Sequence, residues 1–193
     1  MTFDRRSFLL TSATLSAGLA LEACKKDPPT DAAPDDKVAL KKRIGPPAAM
    51  LDTLAAVSER ILPSDELGPG AKEAGVRGFL EKTLADERLA HLVPLLKRAS
   101  AFLDRAAKAE HGKASFAALP VEAQDDLLQR LGANKMRPNG FQGATFLRIM
   151  VALTLEGFLG HPRHGGNQGE VAWQWLGYSE QGRAHGHKAG KGT

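Results

Sequence analysis

The chain has 193 residues, 42% of them hydrophobic but only 6% aromatic, and 26 Lys or Arg against 22 Asp or Glu leave a formal net charge of +4. So small and scattered a positive excess makes no basic stripe of the kind nucleic-acid binding needs, and a single cysteine excludes an internal disulfide. The apolar content is enough for one core, rich in Leu and Ala, which is the balance of a helical domain.

The first residues carry a targeting pattern. Arg5-Arg6 is followed by Ser7, Phe8 and Leu9 and then by an uncharged stretch to Leu21, 14 residues counted from Phe8. As a helix that stretch spans roughly 21 Å, short of the ~30 Å hydrocarbon core of a membrane. It also contains Thr11, Ser12, Thr14, Ser16 and Gly18. A mildly apolar segment behind an Arg-Arg pair is expected to be a twin-arginine export signal, a route that accepts folded cargo, rather than a resident membrane helix. Asp4 and Leu10 replace the Ser/Thr and Lys usual around the pair. The lone cysteine closes the segment in Leu21-Glu22-Ala23-Cys24, which resembles a lipobox, so Cys24 is the expected lipid-bearing residue. Residues 1–23 are therefore expected to be signal peptide, and the mature protein to sit on the periplasmic side of a membrane.

From Cys24 to Pro47 the chain reads as a tether. Pro28, Pro29, Pro34, Pro46 and Pro47 lie among mixed charges with few large apolar residues. Such a segment cannot bury enough surface to offset its ordering entropy. As a loose coil it would hold its ends roughly 25 Å apart, and about 70 Å when stretched.

Residues 48–178 then read as an all-α, bundle-like domain of about five helices, closed by a Gly-rich loop and a short helix. Leu51, Leu54, Val57 and Ile61 share one helical face, and Pro63, Ser64 and Asp65 end that helix. Val76, Phe79, Leu80 and Leu84 form a second stripe. Leu92, Leu95, Leu96, Ala99, Phe102, Leu103 and Ala106 form a third, with Pro94 in its first turn or at a break and Gly112 as its stop. A fourth helix is expected over Val121–Leu131, with Leu127, Leu128 and Leu131 inward. The fifth, from about Phe141 to Leu159, is apolar on nearly all sides, as the buried centre of a bundle is. Residues 179–193, with His185, His187, Lys188 and Lys191 among glycines, read as a disordered tail.

The most specific pattern follows the fifth helix: Thr154, Glu156, Gly157, Phe158, Pro162, Gly165, Gly166 and Asn167, then Trp173, Gly177 and Tyr178. Together with Ile61-Leu62-Pro63-Ser64-Asp65, the run Pro69 to Val76 with Phe79, and Phe116 to Leu119 with Gln124, Asp125, Leu127 and Leu128, it resembles the signature of the gluconate 2-dehydrogenase subunit 3 family over about residues 48–178. His164 stands where that family usually has Tyr. The resemblance implies a non-catalytic small subunit of a membrane-associated, flavin-dependent dehydrogenase acting on sugars, polyols or sugar acids. It implies that FAD lies in a large partner subunit and c-type haem in a cytochrome c partner, and that this chain assists assembly and export through the twin-arginine translocase. The residues agree by what they lack. There is no Cys-x-x-Cys-His, no cysteine set for an iron–sulfur cluster, and no Gly-x-Gly-x-x-Gly after a strand. No catalytic, cofactor or metal residues are assigned to the chain.

Residue by residue, the expectations are modest. His161 and His164 lie in a Pro/Gly loop, which is poor ground for a helical ligand pair. Gly165 and Gly166 suit a turn with positive φ, and Asn167 suits a cap on nearby backbone. Glu156, a single carboxylate, is expected in a structural ion pair or hydrogen bond. Trp173 is expected to close the core, while Trp173 and Trp175 are also candidate anchors for a partner. Two other readings stay open: an exported lipoprotein enzyme using Glu156, Asn167 and a histidine, and a free-standing exported lipoprotein acting as a binding or scaffold module. Two measurements check the targeting. Replacing Arg5 and Arg6 together with Lys should leave the protein in the cytoplasm, and normal export of that variant contradicts the twin-arginine assignment. Cys24→Ala should move the protein from the membrane to the soluble fraction, and a mature N-terminus lacking acyl mass on Cys24 contradicts the anchor.

Overall fold

The computed structural model describes residues 45–136 and 138–178. Arg5, Arg6, Phe8, Leu9, Cys24, most of the tether and the tail from 179 lie outside the described residues. Six α-helices are described: α1 (Ala48–Ile61), α2 (Val76–Leu84), α3 (Val93–His111), α4 (Val121–Gly132), α5 (Gly143–Leu159) and the short α6 (Val171–Trp175). Among the described residues there is no strand, only an isolated antiparallel bridge between Asp65 and Gly68.

Helix boundaries follow local chemistry. Pro47 precedes α1 and its carbonyl accepts the first helical bond, from Leu51 N–H. Asp86 caps the 3-10 turn Glu87–Leu92 by accepting from Arg88 N–H. Pro94 falls in the first turn of α3, where a missing N–H costs nothing, and Gly112 ends that helix in the left-handed region. The stripes in the sequence became the buried faces. Leu51, Leu54 and Val57 of α1, all four stripe residues of α2, Leu96, Ala99 and Leu103 of α3, and Leu127, Leu128 and Leu131 of α4 are buried in one cluster. Each fully buried Leu or Val contributes roughly 1.5–3 kcal/mol, so the apolar faces dominate the stability of these short helices.

α5 contacts every other helix, and α1 packs on α2, α3, α4 and α5. Phe146, Met150, Leu153 and Phe158 of α5 are buried. The expected burial on all sides does not hold. Ala152, Leu155, Glu156 and Leu159 form a solvent-facing stripe, with Leu155 39% and Leu159 44% exposed. Hydrophobicity around a helix records what the helix tolerates, not how many neighbours the domain supplies to cover it. Here the supply ends one face short.

Polar groups inside this core are matched across long sequence distances. Thr154 Oγ1 donates to Ser58 Oγ at 2.9 Å, tying α5 to α1 with both residues fully buried. Asp104 accepts from Thr53 Oγ1 at 2.8 Å and from Phe116 N–H at 3.0 Å, joining α1, α3 and the 116–118 turn. Buried Gln124 donates to Phe116 O at 3.1 Å, and Asp125 takes a two-bonded ion pair from Arg60 at 2.7 and 3.1 Å. The Phe116 block thus pairs with Gln124 and Asp125 because those side chains fasten its turn and α4 to the core. Thr154→Val strands a buried Ser58 hydroxyl and should cost about 1–2 kcal/mol in urea unfolding. The Ser58→Ala/Thr154→Val double variant should lose less than the two singles summed, and strict additivity would show that the two hydroxyls are not coupled.

Candidate functional site

The C-terminal motif begins as an answer to a helix-end problem. The last four carbonyls of an α-helix lack intrahelical donors. α5 has no left-handed glycine to fold back on them, since Gly160 is extended at φ −67°, ψ 171°. Side chains from farther along supply the donors instead. Trp173 Nε1 donates to Leu159 O at 2.8 Å, and Asn167 Nδ2 donates to Gly160 O at 3.1 Å. Asn167 is 0% exposed, and its Oδ1 accepts the N–H of Ala172 at 3.0 Å, inside α6. One amide therefore caps the end of α5 and fixes α6 against it. It does so in the left-handed conformation, φ 44°, ψ 44°, which Asn tolerates better than most side chains.

The loop packs too closely for any residue but glycine at one point. A Cβ on Gly166 would overlap the backbone of Gly157, and a Cβ on Gly157 would in turn press on the Phe79 ring, 2.9 Å from Cδ1. Gly165 does have the expected positive φ, 98°; Gly166 is fixed by close approach rather than by φ. Pro162 opens the 3-10 turn Pro162–His164, and Gly177 follows α6 at φ 71°.

The 62–75 segment buttresses the motif. Gln168 N–H donates to Ala74 O at 3.0 Å, and Trp175 Nε1 donates to Leu67 O at 2.8 Å. The Trp175 ring also meets Phe158 edge-on at 6.3 Å. That segment is itself held by two carboxylates. Glu59 accepts from Ser64 N–H and Lys72 N–H at 3.1 and 2.8 Å. Glu73 accepts from Gly70 N–H at 2.8 Å and from the Ser64 hydroxyl. The Ser64 hydroxyl, then the Gly70 N–H, hold the Glu73 carboxyl below the usual carboxylate range.

The residues named from sequence thus divide. Thr154, Gly157, Gly166 and Asn167 are buried and act inside the domain. Glu156, Trp173, Gly177 and Tyr178 reach the surface in varying degree, with Pro162 and Gly165 half-buried beside them. Trp173 does not close the core. It is half-buried, with His161 and Tyr178 edge-on to its ring at 5.6 and 5.7 Å, and Ala172 takes the fully buried position beside it. Nor does Glu156 form the expected ion pair or hydrogen bond among the described residues; it sits exposed in the apolar stripe. His161 Nδ1 accepts from Arg163 N–H at 3.2 Å, so one ring nitrogen serves its own turn. Leu155 and Leu159 were not singled out as surface residues, although a signal was there. Glu156 lies between them at helical spacing, and a charge on an otherwise apolar helix marks its water-facing side.

The family model described as gluconate 2-dehydrogenase subunit 3 matches residues 48–182, and the chain belongs to that family. The searches of curated proteins and of solved structures gave no match. The family is that of an accessory subunit of a dehydrogenase complex. Its matched span begins at the first residue of α1 and takes in the whole motif. Among the described residues no helix is long and apolar enough to cross a membrane.

Asn167→Ala removes a buried cap on both sides at once, leaving a carbonyl and an N–H without partners. It should destabilise the domain by about 3 kcal/mol. Gly166→Ala should be at least as damaging through backbone overlap. Chemical denaturation checks both, and a loss under ~1 kcal/mol for Asn167→Ala would show that the cap is replaceable by water.

Proposed function

We propose that this chain is the non-catalytic small subunit of a membrane-associated, flavin-dependent dehydrogenase of sugars, polyols or sugar acids. In this reading it binds the large subunit, accompanies it through the twin-arginine translocase, and holds the complex at the periplasmic membrane surface through lipid on Cys24. The oxidation takes place on FAD in the large subunit, and electrons leave through a c-type haem in a cytochrome partner.

One observation carries the reading: the placement of uncovered apolar surface. Of seven large hydrophobic residues exposed among the described residues, five (Leu155, Leu159, Trp175, Leu176 and Tyr178) fall in the C-terminal motif. Single exposed hydrophobics are ordinary, but their concentration on one stretch is the mark of an interaction surface. The same stretch is held rigidly by buried caps and backbone contacts, which lowers the entropy lost on binding. A flavoprotein must fold around its cofactor before leaving the cytoplasm, and a folded-cargo export route allows one signal to serve two chains.

Affinity purification from the native host tests the assignment. A flavin-containing dehydrogenase should co-purify, and deleting this chain should leave that enzyme in the cytoplasm. Recovery of the chain alone under gentle conditions, with the dehydrogenase still exported in the deletion strain, favours the free-standing scaffold lipoprotein instead.

A further inference from the structure

Two concavities meet at His164. The first is an open groove of about 640 Å³ between α5 and α2, lined by Phe79, Ala152, Leu155, Leu159 and His164, with Glu156 on its wall. It is almost wholly apolar. The second, about 470 Å³, is half polar and is lined past His164 by Lys82, Thr83, Asp86, Arg88, Leu89 and Arg163. Arg88 is already neutralised by Asp86, which it holds with two bonds at 3.1 and 2.7 Å. Lys82 and Arg163 are not neutralised in this way. Lys82 Nζ reaches only the backbone carbonyl of Arg163, at 3.4 Å, and Arg163 Nε donates to His164 Nε2 at 3.1 Å. Neither cation has a carboxylate within ion-pair distance among the described residues.

These cations are brought together by the backbone. A Cβ on Gly78 of α2 would stand 2.9 Å from Gly165 O, and one on Gly165 would stand 2.8 Å from Gly78 O. Two glycines therefore let α2 and the 162–165 turn touch, which sets Lys82, one turn along α2 from Gly78, beside Arg163. The groove and its cationic end form one preset surface: apolar for the length of two turns of α5, positive where α2 meets the turn.

We propose that this surface is the seat of a segment of the dehydrogenase large subunit in which apolar side chains are followed by a carboxylate. The apolar side chains lie along Leu155 and Leu159, and the carboxylate lies between Lys82 and Arg163. The charge pattern selects this occupant. An apolar stripe alone would suit any greasy partner, but two uncompensated cations at one end fix both the direction of the segment and the sign of its end. The proposal rests on the accessory-subunit reading and names the place and chemistry of that contact.

The test uses the complex purified from the native host. A zero-length carbodiimide joins an amine only to a carboxylate in direct contact. Treatment should give a cross-linked peptide between Lys82 and an Asp, Glu or C-terminal carboxylate of the large subunit, absent in Lys82→Met. Binding should weaken at least tenfold in Lys82→Glu/Arg163→Glu and in Leu155→Asp, all of them surface positions. Added salt should weaken binding of the wild type but strengthen that of the double variant, because screening then relieves a repulsion. Lys108→Glu, on the exposed end of α3, should bind as the wild type does. Thermal melting of each variant separates lost binding from lost folding. If the complex forms and the groove variants bind it unchanged, the proposed seat is wrong and the accessory reading stands. If only Leu155→Asp weakens binding, the carboxylate claim is wrong. If the variants keep the dehydrogenase but lose binding to vesicles containing anionic lipid, the surface serves the membrane and the proposal falls. If the wild-type chain brings down no dehydrogenase, both readings fail together.

Discussion

The amide of Asn167 is the constraint on which the C-terminal third of the domain depends. It is fully buried, it donates to Gly160 O at the end of α5, and it accepts from Ala172 N–H in α6. Without it the buried Ala172 N–H and the part-buried Gly160 carbonyl would lose their partner, and an unpaired buried N–H is rare in folded proteins. A helix of five residues such as α6 has no stability of its own. It exists because Asn167 and the Trp173 indole, bonded to Leu159 O, fasten it to α5. The Gly166–Gly157 contact then sets the depth at which the loop lies.

This fixed loop explains how one motif can have buried residues and still hold an exposed surface in place. Its buried members are the means, and the surface they hold in place is the result. Gln168 and Trp175 bind the loop to the 62–75 segment, which is tied in turn to α1 through Glu59. Stretches far apart in sequence therefore move as a unit with α5. The stripe of Leu155, Glu156 and Leu159 sits on a helix braced from several sides, since α5 contacts all the others. A partner docking there meets side chains already in place.

The helices were legible because their faces are written in local spacing. The α2 stripe of Val76, Phe79, Leu80 and Leu84 is the buried set of that helix to the residue, and α4 follows its three leucines. A capping role for Asn167 was legible from its chemistry, an Asn beside glycines after a helix, but its partners were not: it joins the end of α5 to α6 instead of capping its own turn. What could not be read were matters of supply. In α5 only the charge of Glu156 signals locally that Leu155 and Leu159 face water, and the apolar residues around it mask that signal. Nothing local to Trp173 says that its indole spends its hydrogen bond on Leu159 O while Trp175 reaches across to Leu67, 108 residues away in sequence. The Thr154–Ser58 and Gln124–Phe116 bonds were hidden for the same reason: each residue is unremarkable until the fold brings its partner to it.

The proposed contact between this subunit and its dehydrogenase lies on the surface of the C-terminal motif. Hydrogen exchange of the chain alone and within the native complex measures this directly, because backbone amides report burial and ordering wherever the partner lands. Docking there should slow exchange in the complex over residues 152–164 and 171–178 and leave α3 unchanged. Protection confined to α3 and α4, or equal exchange in the free and bound chain over the motif, would contradict it.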